Sequence, residues 1–81
     1  MYIVYAIKSL NRNYIYVGMT SNLEKRLFRH NSGYEKTTKP YAPFKLIYSE
    51  VVESRDKART REIHFKSGIG KDFLRTLVND I

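Results

Sequence analysis

The chain has 81 residues, 42% of them hydrophobic and none of them Cys, and its 15 Lys and Arg against 8 Asp and Glu leave a net charge of +7. That length suits one domain and excludes a two-domain enzyme, the composition is globular, and the missing Cys excludes a disulfide scaffold, a thiolate zinc site and a Cys nucleophile, so any metal is held by oxygen or imidazole. The basic excess points to a polyanionic partner, most often nucleic acid, against the plainer reading of a merely basic protein.

Met1 to Ile7 lacks the basic lead and cleavage site of a signal peptide and reads as a strand, and no apolar run approaches the roughly 20 residues of a membrane span, so the cytoplasm is the default location. Tyr2 to Ile7 is β-branched and aromatic on both alternating faces, as in a strand covered on two sides. Turn residues Ser9 to Asn13 and a second run, Tyr14 to Gly18, complete a hairpin. Pairing Lys8 with Asn13 sets Ile7 opposite Tyr14 and Tyr5 opposite Tyr16, which brings the latter two tyrosines together on one face.

Ser21, three residues before Glu24, offers a capping box for a helix from about Asn22 to Asn31. Leu23, Arg26, Leu27 and His30 share one stripe of that helix, whereas Lys25 and Arg29 fall on the solvated side. Asn31-Ser32-Gly33 stops the helix, and the segment to Pro43, with Lys36, Lys39, Tyr34 and Tyr41, is a long basic loop. It is either a solvated connection or a device that grips a backbone and stacks a base.

Phe44 to Val52 reads as a third strand, with Leu46 and Tyr48 on one face and Ile47, Ser49 and Val51 on the other. Ser54 caps a second helix, Arg55 to Ser67, which Gly68-Ile69-Gly70 ends before a short third helix from Lys71 to Asn79. The sum is an α+β domain over residues 1–81, a three-stranded antiparallel sheet flanked by helices in the order β-β-α-β-α-α.

On the second helix Glu62 sits in an apolar stripe with Ala58, Phe65 and Ile69. A bare buried carboxylate costs several kcal/mol, so Glu62 needs Arg26 or Arg59 as an internal partner, or else a metal or another functional contact. Tyr5, Tyr16, Arg26 and His30 each have an ordinary structural explanation. Together with Glu62 they collect two phenols, a cation, an imidazole and a carboxylate where two strands and two helices meet, which is the chemistry phosphodiester hydrolysis requires.

Ile3-Val4-Tyr5 followed by Tyr16-Val17-Gly18 resembles the paired motif of the GIY-YIG nuclease superfamily. Arg26, His30 and Glu62 match that family's helix Arg, the His or Tyr one turn later and the metal-binding Glu, and Asn79 resembles its last polar residue. The likeness covers nearly the whole chain and is closest to small free-standing members related to the UvrC-like nuclease module of bacterial excision repair. It implies that Glu62 holds one Mg²⁺ or Mn²⁺ and that Tyr16, with Tyr5 beside it, acts as general base or positions the water. Arg26 stabilises the phosphorane, His30 orients a tyrosine or relays a proton, and Asn79 orients a phosphate or a tyrosine. Lys25, Arg29, Lys36 and Lys39 remain to hold the nucleic-acid backbone. Three positions depart from the family: Ile3 and Val4 stand in the first two positions of its Gly-Ile-Tyr motif, and Met19 stands where excision-repair members often carry Lys. His64 has no family counterpart and is expected on the exposed side of its helix.

The resemblance therefore implies a DNA endonuclease in repair or processing, with RNA not excluded as substrate. A monomer is expected, with no membrane association. Since no residues are left for a separate target-reading domain, selection falls to substrate shape, the basic loop or a recruiting protein. The competing readings are a catalytically silent nucleic-acid-binding module that uses the same pocket and a protein-binding domain.

Overall fold

The computed structural model describes residues 1–79 and gives strands β1 (Tyr2–Ser9), β2 (Ile15–Thr20) and β3 (Phe44–Val52) and helices α1 (Leu23–Asn31), α2 (Arg55–Lys66) and α3 (Gly68–Asn79). The strands form one antiparallel sheet in the order β2-β1-β3. This is the α+β arrangement and element order that the sequence predicts. No described helix is long and apolar enough to cross a membrane.

Both faces of β1 are buried, as its unbroken apolar run requires. Val4 and Ala6 join Val17, Ala58, Phe65 and Leu74 in a core under α2 and α3. Tyr5 and Ile7 join Phe44 in a second core on the opposite face, with Leu23 and Leu27 of α1 packed against it.

The hairpin register differs from the predicted one by two residues: Tyr5 lies opposite Gly18, Ile7 opposite Tyr16 and Lys8 opposite Ile15. Ser9 causes the difference. Its amide bonds to Tyr14 O at 3.0 Å, and its hydroxyl accepts the amides of Asn11 and Arg12 at 3.2 and 3.1 Å, so the strand runs two residues longer and the loop begins at Leu10. A shift of two leaves every side chain on its predicted face, so Tyr5 and Tyr16 still share one.

Three further expectations are corrected. Asn22 caps α1, not Ser21, its side chain accepting Lys25 N at 3.1 Å after Thr20 Oγ1 has taken the Asn22 amide at 3.0 Å. A bulge opposite Ala6 and Ile7 puts Ile47 and Tyr48 against the same core, where strict alternation separates them. Ile69 is 79% exposed, because α2 ends at Lys66 and the chain turns into α3 at Gly68, three residues before the predicted start.

Gly70 makes that corner possible. A Cβ there would strike the His64 carbonyl and come within 2.5 Å of Phe65 Cα, a contact with rigid backbone. The predicted stop of α1 is observed: Gly33 takes φ 77°, and the Ser32 and Tyr34 amides turn back to Phe28 O and Arg29 O at 2.9 and 3.0 Å.

Candidate active site

Gly18 explains the Y-x-G of β2 in physical terms. Its missing side chain leaves room for the Tyr5 ring from the neighbouring strand, since a Cβ on Gly18 would lie 2.7 Å from Tyr5 Oη and 3.0 Å from Tyr16 Cε2. Tyr5 is wholly buried as a result, with its ring centroid 6.3 Å from that of Tyr16. His30 reaches this pair from the inner face of α1, its ring centroid 5.9 Å from Tyr5 and 5.0 Å from Tyr16.

Tyr5 Oη is 2.8 Å from His30 Nε2, and His30 Nδ1 is 2.8 Å from Thr38 Oγ1. Thr38 Oγ1 is in turn 3.4 Å from the Glu35 carbonyl, which can only accept. One proton order satisfies the whole chain: Thr38 donates to Glu35 O, His30 Nδ1–H donates to Thr38, and Tyr5 donates to an unprotonated Nε2. Burial, followed by the charge of Arg26, pushes the His30 pKa below its ordinary 6.5, which favours this neutral imidazole. Burial raises the Tyr5 pKa against an opposing pull from Arg26, so Tyr5 keeps its proton at neutral pH.

Arg26 is half-buried beside these rings. The Tyr5 oxygen is the first cause that raises its pKa, with Glu35 adding to it. Its Nη1 bonds to Glu35 Oε1 at 3.2 Å, and Arg29 Nε reaches the same oxygen at 2.7 Å. Arg26 Nε is buried without an acceptor. On the solvent side Arg26 and Arg29 line an open groove with Lys25, Thr20, Ser21 and Asn22. Arg29 is thus ion-paired on the groove wall, where periodicity leaves it simply solvated. Lys25, Lys36 and Lys39 are exposed, the last two on the loop after α1.

Glu62 is 7% exposed on the sheet side of α2, with Ala58 and Phe65 one turn to either side. Of the two partners that the sequence allows, the structure selects Arg59, whose Nη1 is 3.2 Å from Oε1, and it adds Lys66 at 3.5 Å from Oε2. Arg26 is engaged with Glu35. The structure therefore brings Tyr5, Tyr16, Arg26 and His30 together in the α1 layer and places Glu62 in the α2 layer on the opposite face.

Both layers open at the end of edge strand β2. A second groove, lined by Tyr2, Met19, Arg55, Asp56 and Arg59, borders Met19, while Thr20 borders the Arg26 groove. Asn79 ends α3, and its side chain lies outside the described part. His64 is exposed, as predicted.

Among the described residues no three His, Cys, Asp or Glu side chains cluster as a protein cage for a metal. A single nearly buried carboxylate is still a suitable donor for a hard cation that keeps most of its water and binds substrate phosphate. On donor chemistry, Glu62 fits one such ion once Arg59 and Lys66 release its oxygens.

Sequence reasoning missed Thr38 and Glu35. Thr38 carries no periodic signal, because it reaches His30 from an irregular loop. Glu35 had one: it is the sole acidic residue between Glu24 and Glu50, in a stretch otherwise rich in cations.

Comparison with known proteins agrees with this fold. A family profile described as the GIY-YIG catalytic domain matches residues 1–72. A UPF0213 protein of Clostridium perfringens is 41% identical over 64 residues, covering 78% of this chain and 68% of the relative. A UPF0213 protein of Staphylococcus haemolyticus is 38% identical over 65 residues, covering 79% and 78%. The solution NMR structure of a UPF0213 protein from Bacillus halodurans superposes with a TM-score of 0.55 at 28% identity, over 95% of this chain and 85% of the other. The chain belongs to the GIY-YIG family.

Proposed function

We propose that this protein is a metal-dependent endonuclease that hydrolyses phosphodiester bonds in DNA and selects its substrate by structure, in repair or processing. The observation that carries the proposal is Arg26. It joins a buried Tyr5–His30–Thr38 chain to an open groove walled by Lys25 and Arg29, so a phosphate in the groove meets a guanidinium whose inner side rests against phenols.

Each side chain then has a task set by its surroundings. Tyr5 is fully buried and donates to His30 Nε2, so it fixes the site rather than touching substrate. Tyr16 is half-buried beside it and is the phenol able to receive or orient the attacking water at Oη. Arg26 binds the non-bridging phosphate oxygens and stabilises the charge that grows on them. Glu62 is the carboxylate that would hold Mg²⁺ or Mn²⁺, and the bound ion supplies Lewis-acid stabilisation of the phosphate. Lys25, Arg29, Lys36 and Lys39 hold the backbone, and Asn79 orients a phosphate or a tyrosine.

A second reading, a nucleic-acid-binding module without catalysis, draws support from Glu62, whose two oxygens face Arg59 and Lys66. A panel of linear, nicked, flapped and single-stranded DNA and RNA with Mg²⁺ or Mn²⁺ separates the two. The nuclease reading expects cutting by the native protein and a loss of about a thousandfold or more in Glu62→Ala, in line with the several kcal/mol such an ion supplies. Equal cutting by that variant would sink the assignment. Salt-sensitive binding without cutting under every metal would favour the module.

A further inference from the structure

Glu35 is the residue the proposed chemistry leaves unused, yet its carboxylate takes the best donors in the groove. A single oxygen, Oε1, receives both Arg26 Nη1 and Arg29 Nε. One anionic oxygen shared by two guanidiniums is the geometry that a phosphate oxygen adopts between arginines. We infer that the Glu35 carboxylate occupies the place of a substrate phosphate group and is exchanged for it on Arg26 when nucleic acid enters the groove. The inference deepens the proposed function and rests on its assignment of nucleic acid to the Arg26 groove.

Four observations support exchange rather than a fixed clamp. The two bonds are unequal, 2.7 Å to Arg29 against 3.2 Å to Arg26, so Glu35 can keep Arg29 while Arg26 turns to another anion. Arg26 itself lines the groove, so a phosphate that enters there meets its guanidinium directly. The Glu35 main chain is fastened independently of its side chain, because its carbonyl accepts the amides of Thr38 and Lys39 at 3.1 and 2.9 Å. The carboxylate can therefore move without disturbing the loop that seats Thr38 on His30. Finally, Glu35 is charged at neutral pH, its pKa held low first by the bond from Arg29 and further by the charge of Arg26.

The consequence concerns affinity and selectivity. Lys25, Arg26 and Arg29 bring three positive charges to the groove, and Glu35 offsets one of them. A stray polyanion meets a weakened groove, and only a backbone that delivers a phosphate to Arg26 recovers the missing contact. Glu35 is thus a specificity-determining residue that raises the threshold for productive binding.

The test measures binding of a fluorescein-labelled DNA duplex with a single-stranded tail, in EDTA so that nothing is cut, across a salt series. Glu35→Gln keeps the side chain's shape and removes its charge. It is expected to tighten binding about three- to tenfold at low salt, because Arg26 no longer has to leave a carboxylate, with the salt slope unchanged because Arg26 meets a phosphate in both complexes. Asp72→Asn removes the same charge from an exposed pair with Arg75 on α3 and controls for net charge. Arg26→Gln in the Glu35→Gln background is expected to cancel the gain. Far-ultraviolet dichroism and thermal melting verify folding, with Glu35→Ala as the second variant should the first fold poorly. Unchanged or weaker binding by folded Glu35 variants overturns exchange and makes Glu35 a clamp on Arg26. Equal gains in Asp72→Asn overturn it in favour of net charge. No DNA binding by the native protein or by Glu35→Gln overturns the nucleic-acid reading itself and the exchange with it.

Discussion

The two faces of the sheet are covered by different materials. Under α2 and α3 the buried groups are apolar, Val4, Ala6, Val17, Ala58, Phe65 and Leu74, with Glu62 as the one buried carboxylate among the described residues. Under α1 the buried set includes Ser9, His30 and Thr38, and the phenol of Tyr5 is tied into them. Apolar burial contributes roughly 1.5–3 kcal/mol per large side chain, whereas a satisfied hydrogen bond nets about 1 kcal/mol and an unsatisfied one costs more. The α2/α3 layer is therefore the larger source of stability, and the Ile7 and Phe44 core under α1 is the smaller. The α1 layer exchanges packing for a fixed arrangement of polar atoms, which is what a reaction site requires.

The division breaks most severely at the α2/α3 corner. Gly70→Ala forces a Cβ into the backbone of His64 and Phe65, which cannot yield. The expected loss exceeds about 3 kcal/mol, a fall in melting temperature of roughly 12–24 °C by scanning calorimetry for a domain of this size. Nucleic-acid binding by whatever fraction stays folded should be unaffected, since the corner lies on the face away from the Arg26 groove.

The opposite result is expected from the other layer. Arg26→Ala should lower the cutting rate about 100- to 1000-fold, the range for one lost charge-stabilising donor. The melting temperature should fall by no more than a few degrees, because the side chain is partly exposed and its carboxylate partner keeps Arg29. If Arg26→Ala unfolds the protein, the two layers share the work of stability and the comparison fails.

The element order was legible in the sequence because strand and helix periods and the stop at Gly33 are local signals. The faces of Tyr5 and Tyr16 were legible for a more robust reason: a strand repeats every two residues, so a register wrong by two changes no face. The register itself was not legible, since it depends on the Ser9 hydroxyl folding back onto two loop amides, and no pattern of side-chain type announces such a bond. The bulge at Ile47 and the exposure of Ile69 were hidden similarly, the first set by the pairing of β3 with β1 and the second by where α2 ends. Within the candidate site, Arg26 and His30 could be placed on one face by spacing alone. Their partners Glu35 and Thr38 could not, because they belong to a loop whose path is decided by tertiary contacts.

Thr38 permits a sharper, smaller test. Thr38→Val keeps the volume and removes the hydroxyl, which leaves the His30 Nδ1–H without its acceptor inside the protein. A loss of about 1–3 kcal/mol in chemical denaturation is expected, with the cutting rate falling as Tyr5 loses its fixed acceptor. Should the stability loss appear without any change in rate, the buried chain is structural and the chemistry rests on Arg26 and Tyr16.

The smallest effect is the dependence of stability on pH, and its sign distinguishes the layers. His30 has a folded pKa below its unfolded 6.5, so near neutrality it is neutral in both states and contributes nothing to the slope. As pH falls through 6.5 the unfolded chain takes up a proton that folded His30 refuses, and stability decreases until the folded pKa is passed. Glu35 and Glu50 have folded pKa values below their ordinary 4.5, held down first by Arg29 and Arg61 respectively. Their contributions are intact above pH 4.5 and are lost only below it, through their folded pKa values. Between pH 7 and 5 the decline thus belongs to His30 and to the α1 layer. Melting curves over that window should slope downward toward acid in the native protein and flatten in His30→Gln, after subtraction of that variant's uniform loss at every pH. A slope that survives the substitution would move the titrating group elsewhere and remove His30 from the buried chain as its proton acceptor.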